Sequence, residues 1–113
     1  MPEQGDILLI PVPFTDLSSQ KRRPVVVVSN NEYNSQTSDV VVVAMTSRPL
    51  KTKYGFTITN EELTKGKLNR SGQIRVDKIY ALSQTIVVKT FGRVNVDTLN
   101  HIDQLLQNLI TTK

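Results

Sequence analysis

Two valine-rich runs decide most of what this chain can become. Val25-Val26-Val27-Val28 and Val40-Val41-Val42-Val43-Ala44-Met45 are apolar at every position. A strand points successive side chains to opposite faces, so a run without alternation needs cover on both faces. β-Branched residues lose rotamer freedom in a helix and pack well on a pleated surface. The runs therefore predict interior strands of a sheet that curls or layers over itself. At 113 residues the chain has room for one domain around them, covering 1–113.

The flanking segments fit that frame. Ile7-Leu8-Leu9-Ile10-Pro11-Val12 predicts an earlier strand, with Pro11 placing it at an edge or ending it early. Residues 13–22 are polar and rich in turn formers. Pro24 is expected to open the strand 25–28 and to force Arg23 into an extended conformation, holding that arginine at a strand mouth. Residues 54–58 predict a weaker strand, and Asn60-Glu61-Glu62-Leu63 a short capped helical turn. Gln73-Ile74-Arg75-Val76-Asp77 alternates polar and apolar, the pattern of a half-buried strand, and 79–82 and 85–88 add further short ones. Residues 97–110 predict a helix, with Leu99, Ile102, Leu105, Leu106, Leu109 and Ile110 in one stripe and Asp97 or Asn95 as cap. The expectation is a mainly β (α+β) fold: a small, strongly curved barrel with the terminal helix packed across it.

Composition removes several chemistries. There is no cysteine, hence no disulfide framework, thiolate metal site or cysteine nucleophile, and the single histidine, His101, excludes any two-histidine motif. No phosphate-binding GxxxxGK[ST] loop, GxGxxG or HExxH is present, and no dense carboxylate cluster suited to Mg²⁺; neither metal nor cofactor is expected. The longest aliphatic run has six residues, far from the ~20 of a membrane span. Residues 1–6 lack the features of a secretion signal, so a soluble, cytoplasmic protein is expected.

Charge is unevenly spread. Residues 46–93 hold ten Lys and Arg against three Asp and Glu, a net +7, whereas 1–45 come to −2 and 94–113 to −1. Such a block suits a polyanion, because clustered cations release condensed counterions from phosphates, although lysines also serve simply to keep loops soluble. Arg75 and Asp77, two apart on a strand, share a face; alone they are an exposed ion pair worth about 0–1 kcal/mol. Arg23 and Thr46 alone are a loop arginine and a strand-end threonine, and His101 is a residue at the flank of the apolar stripe. Phosphodiester cleavage with such residues, and without a metal, would use the RNA 2′-hydroxyl as nucleophile.

Taken together, the blocks resemble a known family. Gly5-Asp6-Ile7-Leu8-Leu9, Pro13-Phe14-Thr15-Asp16-Leu17 and Lys21-Arg22-Arg23-Pro24-Val25-Val26-Val27-Val28-Ser29 resemble the MazF/PemK toxins of type II toxin–antitoxin pairs. Met45-Thr46-Ser47, Leu68, Ser71, Ile74-Arg75-Val76-Asp77-Lys78-Ile79 and Ile102-Asp103-Gln104-Leu105-Leu106 continue the match in order, over roughly residues 5–110. The resemblance implies an SH3-like small barrel of the CcdB/PemK/MazF type with a C-terminal helix. It implies a homodimeric, sequence-selective, metal-independent endoribonuclease that cleaves single-stranded RNA to a 2′,3′-cyclic phosphate and is blocked by a cognate antitoxin.

By that resemblance Arg23, Thr46, Arg75 and Asp77 are the catalytic residues. The arginines act as cationic clamps, with planar donors suited to phosphate; Thr46 orients the scissile phosphate and Asp77 is the base. Gln20, Lys21, Ser47, Lys51 and Lys53 are expected RNA contacts, with Lys65 and Lys67 flanking the same groove. The loop 18–22 lacks the histidine that some PemK-branch members carry there. The alternative of another class is a non-catalytic toxin of the same fold that binds a protein target such as DNA gyrase through the terminal helix near Leu109 and Ile110.

Overall fold

The structure is a computed structural model, and it describes residues 1–11, 21–49 and 51–112. The expected strand residue Val12, the loop 13–20 and Gln20 lie outside the described residues. The described elements are β1 (Asp6–Pro11), β2 (Arg22–Val27), α1 (Asn31–Gln36), β3 (Asp39–Thr46), β4 (Gly55–Ile58), β5 (Leu63–Gly66), β6 (Gly72–Ser83), β7 (Lys89–Val94) and α2 (Val96–Ile110). All paired strands are antiparallel, in one seven-stranded sheet of order β4-β6-β3-β2-β1-β7-β5.

The edge strands β4 and β5 are neighbours in sequence, joined by a single 3₁₀ turn at Asn60–Glu62. A linker that short spans little distance, so the two edges are drawn together and the sheet curls into a small barrel of SH3-like type. Thr59 and Glu62 fix the turn with a reciprocal capping box.

The valine runs occupy the interior positions that their lack of alternation demands. On β3, Val43 and Met45 join one buried cluster with Ile7, Val26, Ile74 and Val76, while Val40 and Val42 join a second with Leu8, Ile10, Val25 and Val27. Each fully buried valine or isoleucine contributes about 1.5–3 kcal/mol relative to exposure, so the two faces of β3 together hold the fold. α2 covers the first cluster with Ile102 buried and Leu99, Leu105 and Leu106 packed against it. Asn95 caps it by accepting from the Thr98 N–H at 2.9 Å. The stripe does not run to the end of the helix: Ile110 is 75% exposed.

Several boundaries differ from expectation. β2 begins at Arg22, two residues before Pro24. Its pairing to β3 starts only at Val25, so Pro24 sits where β2 has β1 as its one partner and the missing N–H costs no ladder bond there. The segments expected as 73–77 and 79–82 are one twelve-residue strand, β6, interrupted by a bulge. Residues 85–88 are not a strand: Gln84–Ile86 form a 3₁₀ turn, held by the Gln84 amide donating to the carbonyls of Asn34 and Asp39 at 2.8 and 2.9 Å. α1, β5 and β7 had no counterpart in the sequence reading.

Candidate functional site

Residues that pair directly across antiparallel strands share a face. Val25 pairs with Ala44, and Ala44 with Arg75, so these three form one row across β2, β3 and β6. Two residues further along the strands come Arg23 on β2 and Thr46 on β3, with Gln73 paired to Thr46. The period of two keeps them on the same face, one step of about 7 Å from the first row. Arg23, Thr46 and Arg75 thus stand on one face of three adjacent strands.

Asp77 joins them through a bulge. On β3 the step from Val43 to Ala44 corresponds to Ile79 and Arg75 on β6, leaving Val76, Asp77 and Lys78 without partners on β3. Bulges release side chains from the ladder and re-aim them. Ile74 and Val76 still point into the core, and Arg75 and Asp77 stand outside it. Arg75 Nε donates to Asp77 Oδ1 at 2.9 Å and a second guanidinium nitrogen to Oδ2 at 2.8 Å, a bidentate pair. Those bonds hold the Asp77 carboxyl below its ordinary range, the nearby Arg75 charge adding to them, and raise the arginine in turn. Asp77 is therefore ionised at neutral pH, with a lone pair on each oxygen not used by Arg75.

Across the strand ends lies a cavity of about 690 Å³. Arg22, Arg23, Thr46, Ser47, Lys67, Arg70 and Lys89 line it, over a floor that includes Leu9, Pro24, Met45, Leu68 and Phe91. Among the described residues that line it, five are cationic and none is acidic. Thr46 Oγ1 accepts from the Arg48 N–H at 3.2 Å, which leaves its own O–H to be donated elsewhere. Side-chain donors and cations, with no carboxylate among the described lining residues, suit a phosphate group.

The expected site residues divide accordingly. Arg23, Thr46 and Ser47 line the cavity; Arg75 and Asp77 share the sheet face of Arg23 and Thr46 but do not line it. Lys21 is exposed, one residue before β2. Lys51 and Lys53 are exposed on the β3–β4 connection and do not line the cavity, Lys53 lying 5.3 Å from the Tyr54 ring centroid. Of the flanking lysines, Lys67 reaches the cavity and Lys65 does not. His101 stacks on Phe56 with centroids 3.9 Å apart, away from the cavity. The sequence reading did not single out Arg70, Lys89, Leu9 or Phe91. The run Lys89-Thr90-Phe91-Gly92-Arg93, an aromatic between cations with a glycine beside it, is the signal that points to the last strand.

Among the described residues no group of three or more His, Asp or Glu side chains is placed to hold a metal ion, and no helix is long and apolar enough to cross a membrane.

No curated protein sequence matches the chain. Solved structures do. The MazE–MazF complex of Deinococcus radiodurans (form III) superposes with a TM-score of 0.79 at 21% identity, covering 99% of this chain and 98% of that one. An endoribonuclease in complex with its cognate antitoxin from a mycobacterial species gives 0.76 at 20% identity, over 100% of both chains. Another mycobacterial endoribonuclease gives 0.75 at 24% identity, over 95% of this chain and 88% of that one. At these identities the likeness is one of fold. The family model for PemK-like, MazF-like toxins of type II toxin–antitoxin systems matches residues 3–110, and the chain belongs to that family.

Proposed function

We propose that the protein is a metal-independent endoribonuclease toxin that cleaves single-stranded RNA in the cytoplasm by attack of the 2′-hydroxyl on the adjacent phosphate. The observation that carries the reading is the common sheet face of Arg23, Thr46, Arg75 and Asp77, beside a cavity whose described lining residues include five cations and no acid. The named activity of the mycobacterial structures and the family membership support it.

In this mechanism the ionised Asp77 accepts the 2′-hydroxyl proton, the 2′-oxygen bonds to phosphorus, and the P–O5′ bond breaks to leave a 2′,3′-cyclic phosphate and a 5′-hydroxyl, whose oxygen takes its proton from solvent. Arg23 and Arg75 stabilise the charge that builds on the phosphorane, where fixed cationic donors have their largest effect. Thr46 donates its hydroxyl to a non-bridging oxygen. Ser47 and Lys21 contact the backbone of the bound strand, as do Gln20, Lys51 and Lys53 on the adjoining segments. The active unit is a homodimer, and the partner that silences it is a cognate antitoxin; the solved complexes of a Deinococcus radiodurans MazF with MazE and of a mycobacterial endoribonuclease with its cognate antitoxin support that role.

The test is incubation of a mixed single-stranded RNA pool with the protein in EDTA, followed by mapping of the cut ends. Cleavage at a recurring sequence with 2′,3′-cyclic phosphate ends is expected, and Arg23→Ala is expected to lower the rate at least 100-fold while leaving the melting temperature within a few degrees, since Arg23 is exposed. A toxic protein that leaves RNA intact, and loses toxicity on changes at Leu109 and Ile110 but not at Arg23, would refute the reading in favour of a protein target.

A further inference from the structure

The cavity lined by Arg23 and Thr46 has further lining residues that the catalytic proposal leaves unused. They are Lys67, Arg70 and Lys89, with Phe91 among the apolar ones. Phe91 is set there by a second bulge. In the β1–β7 ladder Ile7 pairs with Gly92 and Leu8 with Thr90, so Phe91 is the extra residue, released from the ladder and re-aimed.

Two glycines on either side make the placement possible. At Gly66, with φ +75°, a Cβ would fall 1.9 Å from the Phe91 carbonyl oxygen; at Gly92 it would fall 2.2 Å from the Lys65 carbonyl oxygen. β5 and β7 therefore approach more closely than any side chain at those positions allows. Phe91 is half-buried and packs against the core cluster, with Lys89 Nζ over its ring at 5.5 Å from the centroid, where a base would displace it.

An aromatic ring among five cations, with no acid among the described lining residues, matches one ligand chemistry. An unpaired base stacks on the ring while the phosphates on either side meet the lysines and arginines. A cavity of about 690 Å³ also lies within the ordinary range for small-molecule sites.

We propose that Phe91 is the stacking platform for one unpaired RNA base next to the scissile phosphate, and that Lys89, with Lys67 and Arg70, holds the phosphate beside that base. This rests on the ribonuclease reading, because the same cavity holds Arg23 and Thr46, and it extends that reading to a base-binding subsite. The subsite binds by stacking, so it fixes the strand's path and contributes to affinity at every sequence.

The probe is a fluorescein-labelled, random-sequence 2′-O-methyl RNA octamer, which has no free 2′-hydroxyl and is not cut, titrated against the full-length protein by anisotropy. Phe91→Leu is expected to weaken binding about tenfold or more, and Phe91→Tyr to keep it within threefold of wild type. Lys89→Gln, at an exposed position that leaves the core alone, is expected to reduce the salt slope of log K by about 0.7, one phosphate contact. Thermal melts identify any loss of fold in Phe91→Leu, in which case Lys89→Gln and Phe91→Tyr decide. Octamer binding unchanged in a folded Phe91→Leu, or an unchanged slope in Lys89→Gln, overturns the proposal. So does a Phe91→Leu loss confined to an acidic Glu–Phe repeat peptide, which would make the groove a protein dock. Cleavage of unmodified RNA by wild type is assayed in parallel. Phe91-dependent binding without cleavage would sink the catalytic reading and leave the subsite standing; cleavage indifferent to Phe91 would do the reverse.

Discussion

Replacing Asp77 by asparagine separates chemistry from stability. The carboxylate is joined to Arg75 by two bonds of 2.9 and 2.8 Å, and the two side chains keep 20% and 27% of their surface exposed. An asparagine is nearly isosteric. Its carbonyl accepts one of the two Arg75 donors, while its NH₂ faces the other donor and cannot. The loss is one charge-assisted bond in a solvated pair, so the stability cost is about 1 kcal/mol or less. For a chain of this size that is a drop of roughly 4 °C in melting temperature. The effect on catalysis is of another order. A positioned general base contributes about 10²–10⁴-fold, and an amide cannot take the 2′-hydroxyl proton. The assay pairs single-turnover cleavage of a mapped RNA substrate with a thermal melt of the same sample. A folded Asp77→Asn protein that cuts within threefold of the wild-type rate would refute the assignment of Asp77 as base.

Other consequences follow from the same geometry. Because the Arg75 bonds depress the Asp77 carboxyl, the base stays ionised as pH falls from 7 to 5; cleavage should show no acid limb in that window, and the rate against pH checks it. The sign for stability is the same: the pair's contribution is complete above the ordinary aspartate range near 3.9 and is lost only as pH falls through the depressed folded value, so the melting temperature should be insensitive to Asp77 between pH 5 and 7. Arg93→Met leaves the buried Asp6 carboxylate, which accepts from Arg93 Nε at 2.8 Å and from the Glu3 N–H at 2.9 Å, without its counter-charge. The expected cost is about 2 kcal/mol, below the range for a fully buried pair because Arg93 keeps 25% of its surface in water, and denaturant unfolding measures it. Gly66→Ala drives a methyl into the Phe91 carbonyl and is expected to lower stability and RNA affinity together, read by melt and by octamer anisotropy.

How much of this was legible in the sequence depends on which force fixed each element. The valine runs and the terminal helix are fixed by apolar burial, whose period is written in the residues, and both lie where expected within a residue or two. Arg75 beside Asp77 was legible for the same reason, since a period of two survives any tertiary detail. β6 read as two strands because its alternation ends at Asp77-Lys78, two charged residues in a row, within the stretch 76–78 that has no partner on β3. α1 has no apolar stripe. It is held by polar bonds, with Asn30 capping Tyr33 N–H and the buried Asn34 tied to Ser29, and such a short helix carries no periodic signal. The turn at Gln84–Ile86 depends on one amide reaching back some 45 residues in sequence to Asp39, a tertiary contact that overrode the β-branched residues beside it. Phe91 was missed because its place is set by backbone approach at Gly66 and Gly92, visible only when β5 and β7 are brought together.

The most direct measurement of the central claim uses a mapped substrate carrying a single 2′-deoxy nucleotide on the 5′ side of the cut. If the RNA supplies its own nucleophile under the guidance of Arg23, Thr46, Arg75 and Asp77, that strand binds as tightly as its ribo counterpart and is not cut in EDTA, while the ribo strand yields a 2′,3′-cyclic phosphate. Cutting of the deoxy strand at the same bond would contradict the account, because the attacking oxygen would then come from elsewhere.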